Sequence, residues 1–344
     1  MPRDVLLGRK LLVIAEIAQA HDGDIASAHS LIDAAARAGA DAVKFQTHLA
    51  AAESTSREPW RVHFSSRDSS RYDYWKRMEF SPSQWKELKS HCSEVNVEFM
   101  SSPFSPQAVE LLLDVGVPVW KVASGEVSNL ELLRRLSDTG IPVILSSGLS
   151  TMSELRTAIE VLDLSADALA VLQCTTQYPT MPERLGLNVL AELRREFGCV
   201  VGLSDHTSTI FASIAAAALG AQIFETHLKA DKDSTGPDAS ASLTESQLSE
   251  LVRGVNFVFT SLQSKIDKQS LTAEQEQLRL MFGRSLVAAR RLDSGDVLEL
   301  GDIAYKKPGG GLRYEQLHLL LGRRLLRSLD VDEILQLNDL ESQS

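Results

Sequence analysis

This sequence is short of cysteine. Its three, Cys92, Cys174 and Cys199, are an odd number without a framework spacing, which excludes a disulfide scaffold and fits a reducing cytoplasm. No cysteine pair at ligand spacing is present, so nothing supports a closed structural zinc site. Long apolar runs are also missing. The N-terminal LLVIAE is cut off by Glu16 and is far too short to cross a bilayer, so neither a signal peptide nor a membrane span is expected. Positive charge is in deficit, 35 Lys and Arg against 46 Asp and Glu, for a net charge of -11. That argues against nucleic acid as a partner, because such binding is driven by phosphate neutralisation. It leaves room for a small anion, since a few lysines in a cleft make a local positive field. Finally, the glycine-rich phosphate turn of a dinucleotide-binding fold is absent: the first apolar run is followed by AQAHDGD.

What is present is an alternation. With 344 residues, 44% of them hydrophobic, the chain can bury a full core. Eight strand-like apolar runs start near Leu11, Asp41, Val97, Val117, Ile141, Ala168, Val200 and Ala221. Helix-period stretches lie between them, several closed by a glycine (Gly39, Gly116, Gly140, Gly220) in the manner of a C-terminal cap. The repeat is about 30 residues, the size of a strand–helix–strand unit. Strands buried on both faces read as continuous apolar runs, and these do. Eight units predict a (β/α)8 TIM barrel over residues 1–264, with an open doubly wound sheet as the alternative. Residues 265–282 read as a helical linker, and 283–344, with DSGD and PGGG turns, as a small, mostly β domain. The connection 47–82 is long, polar and aromatic without clear period, and is expected to be a lid or a surface excursion.

In a barrel of this kind the chemistry sits at the C-terminal strand ends. Those ends carry Glu16, Lys44 with Gln46, Ser101-Ser102, Lys121 with Ser124 and Glu126, Ser146-Ser147, Cys174-Thr175-Thr176, Ser204-Asp205-His206, and Glu225 with His227. Lys44 and Lys121 lie inside apolar runs. They fit an anion cradle, a structural pair with Glu16 or Glu126, or a Schiff base. His206 and His227 end neighbouring runs and fit metal ligands, acid–base groups or structural histidines. Few protein ligands plus water and substrate suit Mn²⁺ or Mg²⁺. His21 is placed in the first loop, where it can face the mouth; His29, His48, His63, His91 and His318 read as ordinary. Cys174 reads as an inert strand-end thiol with no evident base.

The chain resembles the sialic acid synthase family. The resemblance rests on IAEIAQAHDGD, GADAVKFQT, YDYWKRMEFS, FMSSPFS, WKVASGEVSN, VILSSGLST, QCTTQYPT, GLSDHT, FETHLKAD, GPDASASL and YKKPGGGL, in order from about Leu12 to Leu340. It implies a C–C bond-forming transferase of the cytoplasm that condenses phosphoenolpyruvate with an N-acylated hexosamine of the N-acetylmannosamine type. The product would be a nine-carbon 2-keto acid. The terminal segment resembles the antifreeze-protein-like (SAF) domain of these enzymes, which in the family serves a domain-swapped homodimer.

The resemblance also implies roles. His206 and His227 match the ligands of a divalent metal, usually Mn²⁺, with Mg²⁺ or Co²⁺ as alternatives. Lys44, Ser102, Lys121, Ser124, Ser146, Thr176 and Ser204 match positions that hold phosphoenolpyruvate. Glu16, Gln46, Glu126, Tyr178 and Asp238 match positions near the metal or sugar, and Glu16 or Glu126 would move protons. Lys307 stands where the family commonly has an arginine directed to the N-acyl group of the other subunit's substrate. The chain departs from the family at EIAQAHDG (Ala18, Ala20, Asp22), at SSPFS (Ser102, Ser105), at Thr176 and at Lys307. These departures bear on the sugar. A synthase for a di-N-acylated trideoxy hexose, giving legionaminic- or pseudaminic-type acids, is the alternative within enzymes. A catalytically silent barrel acting as a binding protein is the alternative outside them, and a Schiff-base aldolase a further one.

Overall fold

The structure, a computed structural model, describes residues 10–64 and 67–342. Residues 1–9, read above for a leader, lie outside the described residues, as do residues 65–66 of the long connection and 343–344 of the small β segment.

The apolar runs form β1 (Leu12–Ala18), β2 (Ala42–Thr47), β3 (Glu98–Pro103), β4 (Trp120–Val122), β5 (Val143–Ser146), β6 (Leu169–Cys174), β7 (Val200–Asp205) and β8 (Ile223–His227). They pair in parallel, in chain order, and β8 returns to β1, which closes the predicted barrel. β4 is shorter than its apolar run: Val117–Val119 stay outside it, and Pro118 has no N–H to give a ladder. Helices cover the outside. The helix Ile25–Ala38 starts where Asp24 accepts from Ser27 N and stops at Gly39 with φ 84°, a left-handed conformation that glycine adopts at little cost.

Side chains alternate across each strand. Val13, Ala15 and Ile17 of β1 face the helices and join a large core with Val43, Phe45, Phe99, Val171 and Phe224. Leu12 and Ile14 face the barrel axis, where they pack with Ala42, Met100, Val119, Ile144, Ala170, Leu172 and Ile223. Two residues further along the same inward face the text turns polar: Glu16, Lys44, Ser102, Lys121, Ser146, Cys174, Ser204 and Glu225, all buried. Period two therefore places an apolar plug beneath a polar floor.

The long connection is not wholly irregular. It contains the short helices Ala50–Glu53 and Arg71–Met78. The second escapes a periodicity search because it has only eight residues. Ser70 caps it by accepting from Asp73 N, and it buries Tyr74, Trp75 and Met78 against Ala50, Trp60, Phe64 and Tyr72.

The chain divides into two compact units between Ser264 and Lys265. The second holds the helix Ala273–Phe282 and an antiparallel pair, β9 (Ser285–Ala288) with β10 (Ile303–Lys306). Its core is built largely from leucines, among them Leu286, Leu292, Leu298, Leu325 and Leu335, joined through isolated bridges and short 3₁₀ turns. Among the described residues no helix is long and apolar enough to cross a membrane.

Candidate active site

The polar floor opens into a cavity of about 250 Å³ at the C-terminal ends of the strands. Barrel register decides who meets there. Glu16 is the lateral partner of Lys44 on one side and of His227 on the other. Ser204 stands beside both Glu225 and Cys174.

Four charges share the floor. Lys44 Nζ lies 2.5 Å from Glu16 Oε2 and 3.7 Å from Glu225 Oε2, while Lys121 Nζ lies 3.6 Å from Glu225 Oε1. Lys44 donates to Ser102 Oγ at 3.3 Å, Lys121 to Ser146 Oγ at 2.8 Å, and Ser204 Oγ to Glu225 Oε1 at 2.9 Å. Gln46 Nε2 donates to Glu16 Oε1 at 2.8 Å. Burial works against charge on all four groups. On Lys44 the two carboxylates overcome it and hold the ammonium above its ordinary range; on Lys121 burial prevails and the shift is downward. Burial drives Glu16 up to about 7. Glu225, also buried, is brought down to about 2 by Lys121 and Lys44. Two carboxylates with opposed shifts have different capacities: Glu225 stays ionised and Glu16 can exchange a proton near neutrality.

The imidazoles line the same cavity. The rings of His206 and His227 lie 5.3 Å apart, and Tyr178 stacks on His206 at 4.1 Å. Burial pushes His227 down to about 4, so it is neutral. Burial opposes charge on His206 too, but Cys174 and the Thr175 carbonyl outweigh it and raise it to about 8. His206 Nδ1 donates to Thr175 O at 2.9 Å, which leaves Nε2, once it gives up its proton, for a ligand. Among the described residues no group of three or more His, Cys, Asp or Glu side chains forms a metal cage. The pair still fits a divalent ion. Centroids this close suit two rings on one ion at metal–nitrogen distances of roughly 2.1 Å, with water and substrate oxygens completing the shell.

A second corner is rich in small donors. A Cβ on Gly148 would fall 2.5 Å from Thr176 Oγ1, 2.8 Å from Ser124 Oγ and 2.9 Å from Cys174 Sγ, so only glycine fits there. These hydroxyls, beside Lys121 and Ser146, suit an oxyanion.

The cavity is thus lined by Glu16, Lys44, Gln46, Lys121, Ser124, Ser146, Thr176, Tyr178, Ser204, His206, His227 and Asp238, with Ser102 beneath Lys44. Glu126 is not among the lining residues: it follows β4 in the 3₁₀ turn Ser124–Glu126, and its carboxylate accepts from Asn129 Nδ2 at 2.8 Å. Lys307 belongs to the second unit, where its ammonium lies 5.5 Å from the Phe282 ring. Strand-end residues of the opposite parity turn outward. Ser101 pairs with Thr47, and Asp205 accepts from Thr207 N and Ser213 Oγ.

Three sequence expectations need correction. His21 does not face the mouth; it is buried against Phe80, with Nδ1 accepting from Gly23 N at 3.0 Å. Cys174 is not an isolated thiol: its Sγ lies 4.0 Å from His206 Nδ1. Burial alone would raise this thiol, but His206 and Ser124 bring it below the usual range. His48 is not ordinary: it lies between Trp75 and Phe104, and bridges Glu53 and Gln46. Sequence reasoning placed Glu225 at a strand end without giving it a role, and missed Arg61, Trp60, Phe64, Tyr74 and Trp75; all six line the cavity. The aromatic content of the long connection was the available signal.

Comparisons with known proteins agree with this architecture. The NeuB family model matches residues 31–267, and the SAF domain model matches residues 283–341. The chain is 35% identical to the N-acetylneuraminate-9-phosphate synthase of Mus musculus, over 96% of this chain and 93% of that protein. It is 32% identical to the N,N'-diacetyllegionaminic acid synthase of Campylobacter jejuni, over 95% and 99%. Among solved structures it is similar to the N-acetylneuraminic acid (sialic acid) synthetase of Leptospira borgpetersenii in complex with citrate. That match has a TM-score of 0.68 and 27% identity, and covers 79% of this chain and 91% of that one.

Proposed function

The chain belongs to the NeuB family and ends in a SAF domain, and on that premise we propose that it condenses phosphoenolpyruvate with an open-chain N-acylated hexosamine of the N-acetylmannosamine type. The products are a nine-carbon 2-keto acid and inorganic phosphate. The observation that carries this reading is the floor itself: two lysines and two carboxylates buried directly beneath two imidazoles in one cavity.

In this reading Lys44 and Lys121 offset the carboxylate and phosphate charges of phosphoenolpyruvate, and Ser124, Ser146 and Thr176 bind its oxygens. The methylene carbon forms the new bond to the aldehyde carbon. Positive charge then develops at C2, water adds there, and the C2–O bond to phosphate breaks, so the water oxygen becomes the keto oxygen. Glu16 handles the water or hydroxyl proton, because it lines the cavity and titrates near 7, whereas Glu126 accepts from Asn129 outside it. His206 and His227 hold a divalent metal, Mn²⁺ best, with Mg²⁺ or Co²⁺ as alternatives. When bound, such an ion supplies Lewis-acid polarisation of the aldehyde oxygen and orients water. No lysine Schiff base is required, since both ammoniums already have carboxylate partners.

The aromatic wall of Trp60, Phe64, Tyr74 and Trp75 favours one second reading. A di-N-acylated trideoxy hexose would set a methyl group and a second acyl group against it, giving a legionaminic- or pseudaminic-type acid. We also propose a cytoplasmic, domain-swapped homodimer in which Lys307 reaches the acyl group of the partner's substrate. The test is phosphate release from phosphoenolpyruvate over a panel of N-acylated hexoses, with and without chelator, with product masses. Turnover is expected with one sugar class and lost with chelator or in His206→Ala and His227→Ala; full activity in both variants contradicts the metal assignment. No turnover with any sugar favours the silent barrel.

A further inference from the structure

Arg61 lies in no helix or strand, but side-chain contacts tie the residues before it to the helix Arg71–Met78. Glu58 accepts from Trp75 Nε1 at 3.0 Å and pairs with Arg71 Nε at 3.0 Å. Arg71 also donates to Pro59 O at 2.9 Å, and the Trp60 ring lies 5.7 Å from Tyr74. The helix Arg71–Met78 therefore fixes residues 58–60 and with them the point from which Arg61 departs.

Arg61 then reaches two other loops. One of its terminal nitrogens donates to Pro237 O at 2.9 Å and to Asp238 Oδ1 at 2.5 Å, after β8. Its Cζ lies 4.2 Å from the centroid of Tyr178, after β6. Each contact leads to the histidines. Tyr178 stacks on His206 at 4.1 Å and meets His227 edge-on at 5.7 Å, while Asp238 Oδ2 lies 3.9 Å from His227 Nδ1. A planar guanidinium can cover a ring with its face while donating to a carboxylate from its edge; an ammonium cannot do both.

We propose that Arg61 is a positioning residue for both imidazoles, clamping Tyr178 against His206 and holding Asp238 beside His227, so that residues 58–61 align the metal-binding pair. The inference rests on the reading of His206 and His227 as holders of a divalent ion. It assigns to an irregular segment a role that reaches the reaction centre through two intermediaries, Tyr178 and Asp238. It also makes the guanidinium, and not charge alone, the required feature.

The test compares Arg61→Met, Arg61→Lys, Tyr178→Leu and Tyr178→Phe with the unaltered protein. Lys76→Met serves as a control for an exposed cation in the same segment. Mn²⁺ binding is read by spin resonance of the free ion in substrate-free protein, and rates are measured separately. Arg61→Met and Tyr178→Leu should each weaken Mn²⁺ binding by about 10-fold or more, the usual effect of losing a partner that orients a ligand. Arg61→Lys should resemble Arg61→Met, Tyr178→Phe should bind as the parent does, and kcat should fall more than the KM for phosphoenolpyruvate rises. Parent-like Mn²⁺ binding by Arg61→Met, or full rescue by Arg61→Lys, overturns the inference. His206→Ala separates the two levels. If it loses Mn²⁺ while Arg61→Met keeps it, only the Arg61 inference fails; if it binds Mn²⁺ as the parent does, the underlying reading fails too.

Discussion

The barrel has two interiors on the same strands. Toward one end, Leu12, Ile14, Met100, Ile144, Leu172 and Ile223 fill the axis with hydrocarbon. A few ångströms along, Glu16, Lys44, Lys121 and Glu225 replace them with four buried charges. The first layer stabilises through burial and packing and offers no chemistry. The second is costly to desolvate and is tolerated because each charge has an opposite neighbour. The difference separates stability from reactivity within a single strand, between residue i and residue i+2.

That separation can be broken from either side. Removing a charge should do the most damage. Glu225→Ala leaves Lys121 and Lys44 without a shared carboxylate, and should lower unfolding stability by ~3–5 kcal/mol as well as abolish turnover, as measured by denaturant melts and phosphate release. Cutting the hydrocarbon layer should affect stability alone. Ile14→Ala should cost ~2–5 kcal/mol, yet the folded fraction should turn over within about threefold of the parent, because the cavity it leaves lies below the floor. A loss of kcat as large as that of Glu225→Ala would erase the distinction between layers.

Acid titration sharpens the comparison within the polar layer. Glu225 sits at about 2 in the folded chain against an ordinary 4.5, so its contribution is fully present above 4.5 and fades as pH falls toward 2. Glu16 sits at about 7 against the same 4.5, so the folded state holds the extra proton, and its contribution declines as pH rises from 4.5 through 7. Denaturant melts across that range should show the decline disappear in Glu16→Gln. The rise of kcat through about 7 should vanish in the same variant. The smallest effect belongs to the second unit: Lys307→Ala should raise the KM for the acceptor severalfold with little change in kcat, read by initial rates.

Much of the fold was legible because strand and helix periods differ and the repeat is regular. The inward polar positions were legible for the same reason: a lysine within VKFQ or WKVAS has few places to go. What lay beyond the sequence was closure. That Glu225 stands between Lys44 and Lys121 depends on β8 returning to β1 and on the register of β7 with β8. Glu126 read as a strand-end carboxylate, but a 3₁₀ turn directs it to Asn129. Arg61 and His48 belong to a segment whose order comes from aromatic contacts and ion pairs, which carry no period.

In the proposed function His206 and His227 hold one ion above the lysine floor. Nitrogen couplings to bound Mn²⁺, measured by pulsed electron–nuclear double resonance, address it most directly. Two histidine nitrogens are expected in the parent protein and one in each of His206→Ala and His227→Ala. Mn²⁺ bound with no nitrogen coupling, or with couplings unchanged in both variants, would contradict it.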